Sequence, residues 1–479
     1  MEELKQKLFY SFFWKMLEKL SNYGIQLILQ IILARLLAPS KFGIISISIV
    51  FINIATVFFQ GGFSEAIIQK QDSDNKTYSS VLYFSMAISI ICYIILYISS
   101  DYIAGFYKIR ELNSVLKILG TIFFIGPFVS IQEAILRKNM EFKILFTTKT
   151  IAAFISGIIG VITAYMNYGI WALVIQHIIN NIFIALLLYT QLKWIPMFTL
   201  SVVEIKSLFS FGWKLQVSSF IDTLYKELTN LIIGKKYVPS VLAFYTRGSE
   251  FPQVIVGSLN NSIQSVIFPA LASIQSQPDE VKKLMRRGIM LSSYIIFPSM
   301  IGLFVIAEPL VRVLLTDKWL SSVPYIRIFC LSYALWPIHT TNLQAINAIG
   351  RSDIFLKLEI IKKISGIIII FITYRYSPYI MAIGVLANGI IGSFINAYPN
   401  QKLLNYSYLE QLKDIYPSFV ISLIMGIGLY YTNYLKISDI FKLVLQLCFG
   451  CSIYMLLSYI FKVESYIYIV KTIKNYKRS

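Results

Sequence analysis

The chain has 479 residues, of which 57% are hydrophobic and 14% charged, with a formal net charge of +19 and a mean hydropathy of +0.68. A soluble globular chain carries about 25% charged residues, so that class is excluded. The Lys and Arg excess fits the basic loops of a membrane protein better than a nucleic-acid surface, because no basic tail exceeds the short end KTIKNYKRS.

A hydrocarbon core about 30 Å thick takes roughly 20 apolar residues per helix. Apolar runs predict fourteen helices, over 11–34, 42–60, 80–100, 114–133, 149–167, 170–192, 211–233, 240–268, 287–307, 324–348, 355–374, 378–398, 415–433 and 440–461. The first run lacks an A-x-A-like cleavage site and follows the mixed-charge lead-in MEELKQK, so it is expected to be retained. Basic clusters such as RKNMEFK and KKLMRR fall in alternate loops, which predicts an even number of spans with both termini cytoplasmic. The four cysteines all lie in apolar runs, and Cys448-x-x-Cys451 has no second pair and no nearby histidine, so it is expected to be filler rather than a metal site.

Taken in chain order, the first helix carries Lys15, Glu18, Lys19, Asn22, Gln26 and Gln30 every three or four residues, as one polar stripe on an apolar cylinder. Ser46, Asn53 and Gln60 follow on the second helix. The seventh helix repeats the device with Lys214, Ser218, Asp222, Lys226, Glu227 and Asn230, and the eighth with Arg247, Glu250, Gln253, Asn260, Asn261 and Gln264. A charge at the bilayer centre costs about 2.5–3.5 kcal/mol on insertion scales, so such stripes are expected to face water or a partner. Single members have plainer explanations. Lys15 and Lys19 can snorkel to headgroups, Glu18 can pair with either, Asp222 with Lys226 has helix ion-pair spacing, and Arg247 can neutralise Glu250 across one turn.

The stripes recur because the chain weakly repeats. Trp14-Lys15 aligns with Trp213-Lys214, and Pro39-Ser40 with Pro239-Ser240, about 200 residues on in each case. Six helices precede the second copy, so the halves run parallel, as in transporters related by an axis along the membrane normal. The expected architecture is an all-α polytopic membrane protein of about fourteen helices. A six-helix bundle over 1–195 and a second over 196–400 enclose a central cavity, and two additional helices with a basic cytoplasmic tail fill 401–479.

Lys15, Lys19, Lys214, Lys226 and Arg247 outnumber Glu18, Asp222, Glu227 and Glu250, which favours a phosphorylated cargo gripped by arginine and lysine. With them, Asn22, Gln26, Asn260 and Gln264 are the expected substrate-binding residues, and the four acids are candidates for a coupling cation. His177 and His339 fit helix packing better than ligation, and Pro337 permits a kink beside Thr340, Gln344 and Asn347. No Walker loop, dinucleotide motif, HExxH or nucleophile elbow is present, so neither an enzyme nor a cofactor is expected.

RLLAPSKFGIISISIVF, GGFSEAIIQKQD, GIWALVIQ, YTRGSEFPQVIV with SIQSVIFPAL, and LQAINAIGRSDIFLKLEIIKK together resemble the oligosaccharide flippases. These form the polysaccharide-transporter branch of the multidrug/oligosaccharidyl-lipid/polysaccharide exporter superfamily. Where relatives often carry an acid before the Gly-rich turn, this chain has Gln60. The resemblance implies alternating access that moves a polyprenyl-diphosphate-linked oligosaccharide outward across a bacterial inner membrane, for lipopolysaccharide or other surface polysaccharide. A polymerase and a chain-length regulator are the implied partners. It maps the family's cavity cations onto Lys15, Lys19, Lys214, Lys226 and Arg247. The rival readings are an ion-coupled multidrug exporter of the same fold, which would want a net acidic cavity, and a membrane polysaccharide polymerase, which would want a large catalytic outer loop.

Overall fold

The computed structural model describes residues 2–70 and 72–476. Among these it has seventeen α-helices, short 3-10 turns and no strand. Isoleucine-rich runs that would favour strands in water are helical here, because only a helix satisfies its own backbone polar groups within one segment in hydrocarbon. Eight of these helices are long and apolar enough to cross a membrane, or nine if one bent pair counts as a span, so the protein is a multi-pass membrane protein.

The helices run α1 (Glu2–Leu36), α2 (Pro39–Gln69), α3 (Asn75–Tyr107), α4 (Arg110–Leu119), α5 (Gly126–Lys138), α6 (Phe142–Tyr165), α7 (Ile170–Leu192), α8 (Val202–Lys236) and α9 (Pro239–Ser273). They continue as α10 (Pro278–Leu315), α11 (Val323–Tyr333), α12 (Trp336–Ala348), α13 (Ser352–Thr373), α14 (Pro378–Leu404), α15 (Tyr408–Thr432), α16 (Asp439–Ile460) and α17 (Glu464–Tyr476). Several outreach the predicted spans, since hydropathy marks only the part in hydrocarbon. At 1.5 Å per residue the 38 residues of α10 extend about 57 Å. Two predicted helices are broken. Residues 114–133 become α4 and α5, bent by 43° around a 3-10 turn at Gly120–Phe124. Residues 324–348 become α11 and α12, with Pro337 in the first turn of α12. The C-terminal tail, expected as a basic extension, instead contains α17, whose Tyr466 and Ile469 pack on a cluster formed by Tyr294, Met425 and Tyr454.

Helix starts follow local chemistry. Pro39, Pro278 and Pro378 sit in first turns, where a missing N–H costs nothing. Asp74 accepts from the Thr77 amide at 2.8 Å and hydroxyl at 2.7 Å, and these bonds hold its carboxyl below the usual range. Ser407 and Glu410 form a reciprocal capping box at α15.

The chain forms two compact units, residues 1–243 and 244–479. In the first, α8 lies along α2, so the helix expected to open the second bundle packs with the N-terminal helices. Small residues allow this approach. A Cβ on Gly62 would meet the Gly212 carbonyl of α8, and at the start of α9 the Pro239 carbonyl comes as close to Gly43. Phe58 and Phe220 meet at 5.1 Å, and Gln216 donates to the Phe58 carbonyl at 2.7 Å. The segment leading into α8 is stitched to α3. Trp194 Nε1 donates to Asn75 at 2.6 Å, the Met197 and Ser201 amides donate to the Ser79 and Ser80 hydroxyls at 2.9 Å, and Glu204 pairs with Lys70. In the second unit α15 packs along α10. Long rows of exposed apolar side chains, such as Ile360, Ile364, Ile368 and Phe371 on α13, suit contact with lipid tails.

Gly62→Ala should lower the melting temperature of the detergent-solubilised protein, by the equivalent of about 1–3 kcal/mol, because backbone must move. Gly105→Ala, where an added Cβ meets nothing within 4 Å, should leave it unchanged or slightly raised.

Candidate functional site

A cavity of about 510 Å³ lies within the first unit. On α2, Thr56, Val57, Gln60, Gly61 and Ser64 recur three or four apart and so share its wall, followed by Glu65. Gly61 has a non-helical ψ of −111°, which kinks α2 beside the cavity. From α5 come Ser130, Glu133 and Arg137, from α6 Lys149, from α7 Asn180 and Asn181, and from α1 and α8 Gln26 and Ser219. Ser64 and Ser130 hydroxyls meet at 2.6 Å, and Gln60 donates to the Gly126 carbonyl at 3.3 Å. A smaller polar cavity of about 70 Å³ adjoins it through Gln26 and Asn180, with Gln30, Ser156 and His177 in its wall.

The charges form one connected cluster. Lys149 Nζ lies 3.0 Å from Glu18 Oε1 on α1 and 3.1 Å from Glu133 Oε1 on α5, and Arg137 lies 2.7 Å from the other oxygen of Glu133. The three central side chains are 15–18% exposed. A lysine between two carboxylates is a crosslink of three helices, and its charge is fully claimed. Glu65 is exposed in the wall and has no ion pair among the described residues. Counting Glu18, three acids face two bases here, so this cavity leans acidic.

The structure separates the residues expected in one stripe. Glu18 pairs with Lys149 rather than with Lys15 or Lys19. Lys15 is exposed, 5.4 Å from the Phe142 ring, and Lys19 is half-buried on α1. Gln26 lines both cavities. On α8, Lys214 and Lys226 are exposed and Asp222 is half-buried, while Glu227 accepts from Asn53 at 3.0 Å and from Asn230 at 2.9 Å. Arg247 is only 5% exposed. It pairs with Glu250 at 2.7 Å on its own helix and lies 5.4 Å over the ring of Trp319, which is itself 0% exposed. That setting is one of packing, and Arg247 does not line the cavity described above. The side chains of Asn22, Asn260 and Gln264 lie outside the described residues.

Sequence reasoning missed Lys149, Glu133, Arg137 and Asn180. Lys149 sat at a predicted helix start and Arg137 in a loop cluster, where both read as ordinary cytoplasmic charge. The available signal was Glu133 with Arg137 four residues on, and a lone lysine amid threonines in TTKTIAAF. In the second unit a buried amide network was also missed. Asn342 donates to Gln411 at 2.7 Å and accepts from Asn400 at 2.7 Å, tying α12, α14 and α15 together. His339 meets Asn396 at 3.1 Å beside it.

Lys149→Met leaves the largely buried Glu18 carboxylate unpaired and Glu133 with Arg137 alone. It should destabilise the protein by about 3 kcal/mol, read as a lower unfolding midpoint, with Lys149→Arg much milder. Equal midpoints for Lys149→Met and the parent would show that the crosslink contributes nothing.

Comparison with known proteins places this geometry in a family. The chain is 23% identical over 385 residues to the teichuronic acid biosynthesis protein TuaB of Bacillus subtilis, covering 78% of each chain. It is 22% identical over 414 residues to the lipopolysaccharide biosynthesis protein WzxC of Escherichia coli, covering 86% of this chain and 84% of that one. Among solved structures, the lipid II flippase MurJ in an inward closed conformation superposes with a TM-score of 0.76 at 17% identity, over 95% of this chain and 98% of that one, so the fold is shared. The family model described as "Polysaccharide biosynthesis protein" matches residues 32–324, more than half of the chain, and the chain belongs to that family.

Proposed function

We propose that the protein is a flippase for polyprenyl-diphosphate-linked oligosaccharide units, working by alternating access in a bacterial inner membrane for surface polysaccharide assembly. The observation that carries this is the match to polysaccharide biosynthesis relatives over most of the chain, on a fold shared with a lipid flippase. In this proposal all fourteen predicted segments span, in two parallel six-helix repeats over 1–195 and 196–400 with the helices of 401–479 added, and both termini are cytoplasmic. No chemical step is required of the protein itself.

The physical task is to move a diphosphate and a hydrated sugar through a low-dielectric barrier while the prenyl chain stays in lipid. The diphosphate needs cations that are not already neutralised. Lys15, Lys19, Lys214 and Lys226, on α1 and α8, have no carboxylate within ion-pair distance among the described residues and fit that role. Arg247, paired and stacked, instead braces α9 against the Asp317–Ser322 turn. The acidic lean of the unit-1 cavity is the one observation favouring the rival, an exporter of cations. Multidrug transporters of similar fold superpose less closely, one with a TM-score of 0.60 over 82% of this chain.

Neutralising Lys15, Lys19, Lys214 and Lys226 to Gln should cut complementation of a flippase-deficient strain at least about tenfold, the effect of losing roughly 1.4 kcal/mol of binding, with normal membrane insertion. Undiminished surface polysaccharide from that variant would sink the role given to these lysines. Arg247→Ala should act differently, lowering the unfolding midpoint by the equivalent of about 2 kcal/mol through loss of its pair and its ring contact.

A further inference from the structure

The charged cluster of unit 1 has a consequence for which part of the cargo this cavity can hold. A diphosphate or a sugar acid needs a cation whose charge is still available. Lys149 lies between two carboxylates at 3.0 and 3.1 Å, and Arg137 is 2.7 Å from Glu133, so both bases of the wall are neutralised within the protein. Glu65 adds an exposed carboxylate with no ion pair among the described residues. An anion entering here therefore meets net repulsion from the one carboxylate left over.

The rest of the wall matches an uncharged polyol. Side-chain amides carry donors and acceptors together, as sugar hydroxyls do, and Gln26, Asn180 and Asn181 supply them from α1 and α7. Val57, Val129 and Leu215 offer apolar patches for sugar C–H faces. At about 510 Å³ the cavity falls within the roughly 300–1,000 Å³ of small-molecule sites.

We infer that this cavity is a glycosyl subsite for an uncharged sugar residue of the lipid-linked unit, and that its charge balance excludes a uronate at that position. The inference rests on the flippase proposal and divides the cargo. The free lysines of α1 and α8 take the diphosphate, and the amide-lined pocket takes sugar. Glu65 is then a specificity-determining residue, because it sets the sign of the wall without bracing any helix pair through an ion pair.

The test expresses the full chain in two flippase-deficient strains, one assembling a repeat unit of neutral sugars and one whose repeat unit carries a uronate. Surface polymer should return in the neutral strain and be at least tenfold lower in the uronate strain. Glu65→Lys and Glu65→Gln, each checked for membrane insertion, should narrow that ratio, Lys more than Gln. Uronate polymer restored as well as neutral polymer, or a ratio that neither inserted variant moves, overturns the subsite while leaving flipping intact. No polymer in either strain, with the chain inserted, overturns the flippase proposal and the subsite with it, and resistance to cationic drugs in those cells would point to the exporter instead.

Discussion

The structure rests on the cost of an unsatisfied polar group in hydrocarbon. That cost makes every described segment of regular structure a helix, and it also decides where polar side chains go once the helices exist. Lys149 is the clearest instance. A lone lysine on α6 would be expensive, and Glu18 and Glu133 reach it from two other helices. One cation thereby fixes the mutual register of α1, α5 and α6, and the polar space beside it is the cavity.

Close backbone approach does the complementary work along α2 and α8. Lipid tails give helices no hydrophobic reason to associate, so packing must come from contact. Glycines at 62 and 212 let the two backbones approach to distances that a Cβ would block, and Gly43 does the same where α2 meets Pro239 at the start of α9. The kink at Gly61 and the Gln216 bond to the Phe58 carbonyl lie on the same stretch, so the wall of the cavity and the seam between the helices are built from one set of residues. Charge inside the bundle then sorts into two kinds. Paired charges such as Glu18 and Lys149 hold helices together, whereas Lys15, Lys19, Lys214 and Lys226 on α1 and α8 have no carboxylate within ion-pair distance among the described residues.

Much of this was legible from residue order. Apolar runs located the helical segments, and the Pro-Ser turns marked the starts of α2 and α9. The family resemblance rested on motifs spread along the chain, and the family match over residues 32–324 agrees with it. Pairings were not legible, for a geometric reason. A stripe on one helix states which face is polar, but not which neighbour meets it. Glu18 therefore looked like a partner for Lys15 or Lys19, or a coupling acid, when its partner is 131 positions away on α6. Arg247 and Glu250, three apart on one helix, are the exception, because local periodicity alone brings them together.

The amino-acid sequence by itself determined the solvent of this protein, its helical class and its family, since these depend on composition, period and short motifs along one chain. Only the tertiary structure decided which charges neutralise one another and which remain open. The Glu18–Lys149–Glu133–Arg137 cluster, the Asn342–Asn400–Gln411 network and the α2–α8 seam each join residues from helices far apart in the chain. Their energies arise from distances of about 3 Å that no one-dimensional pattern encodes.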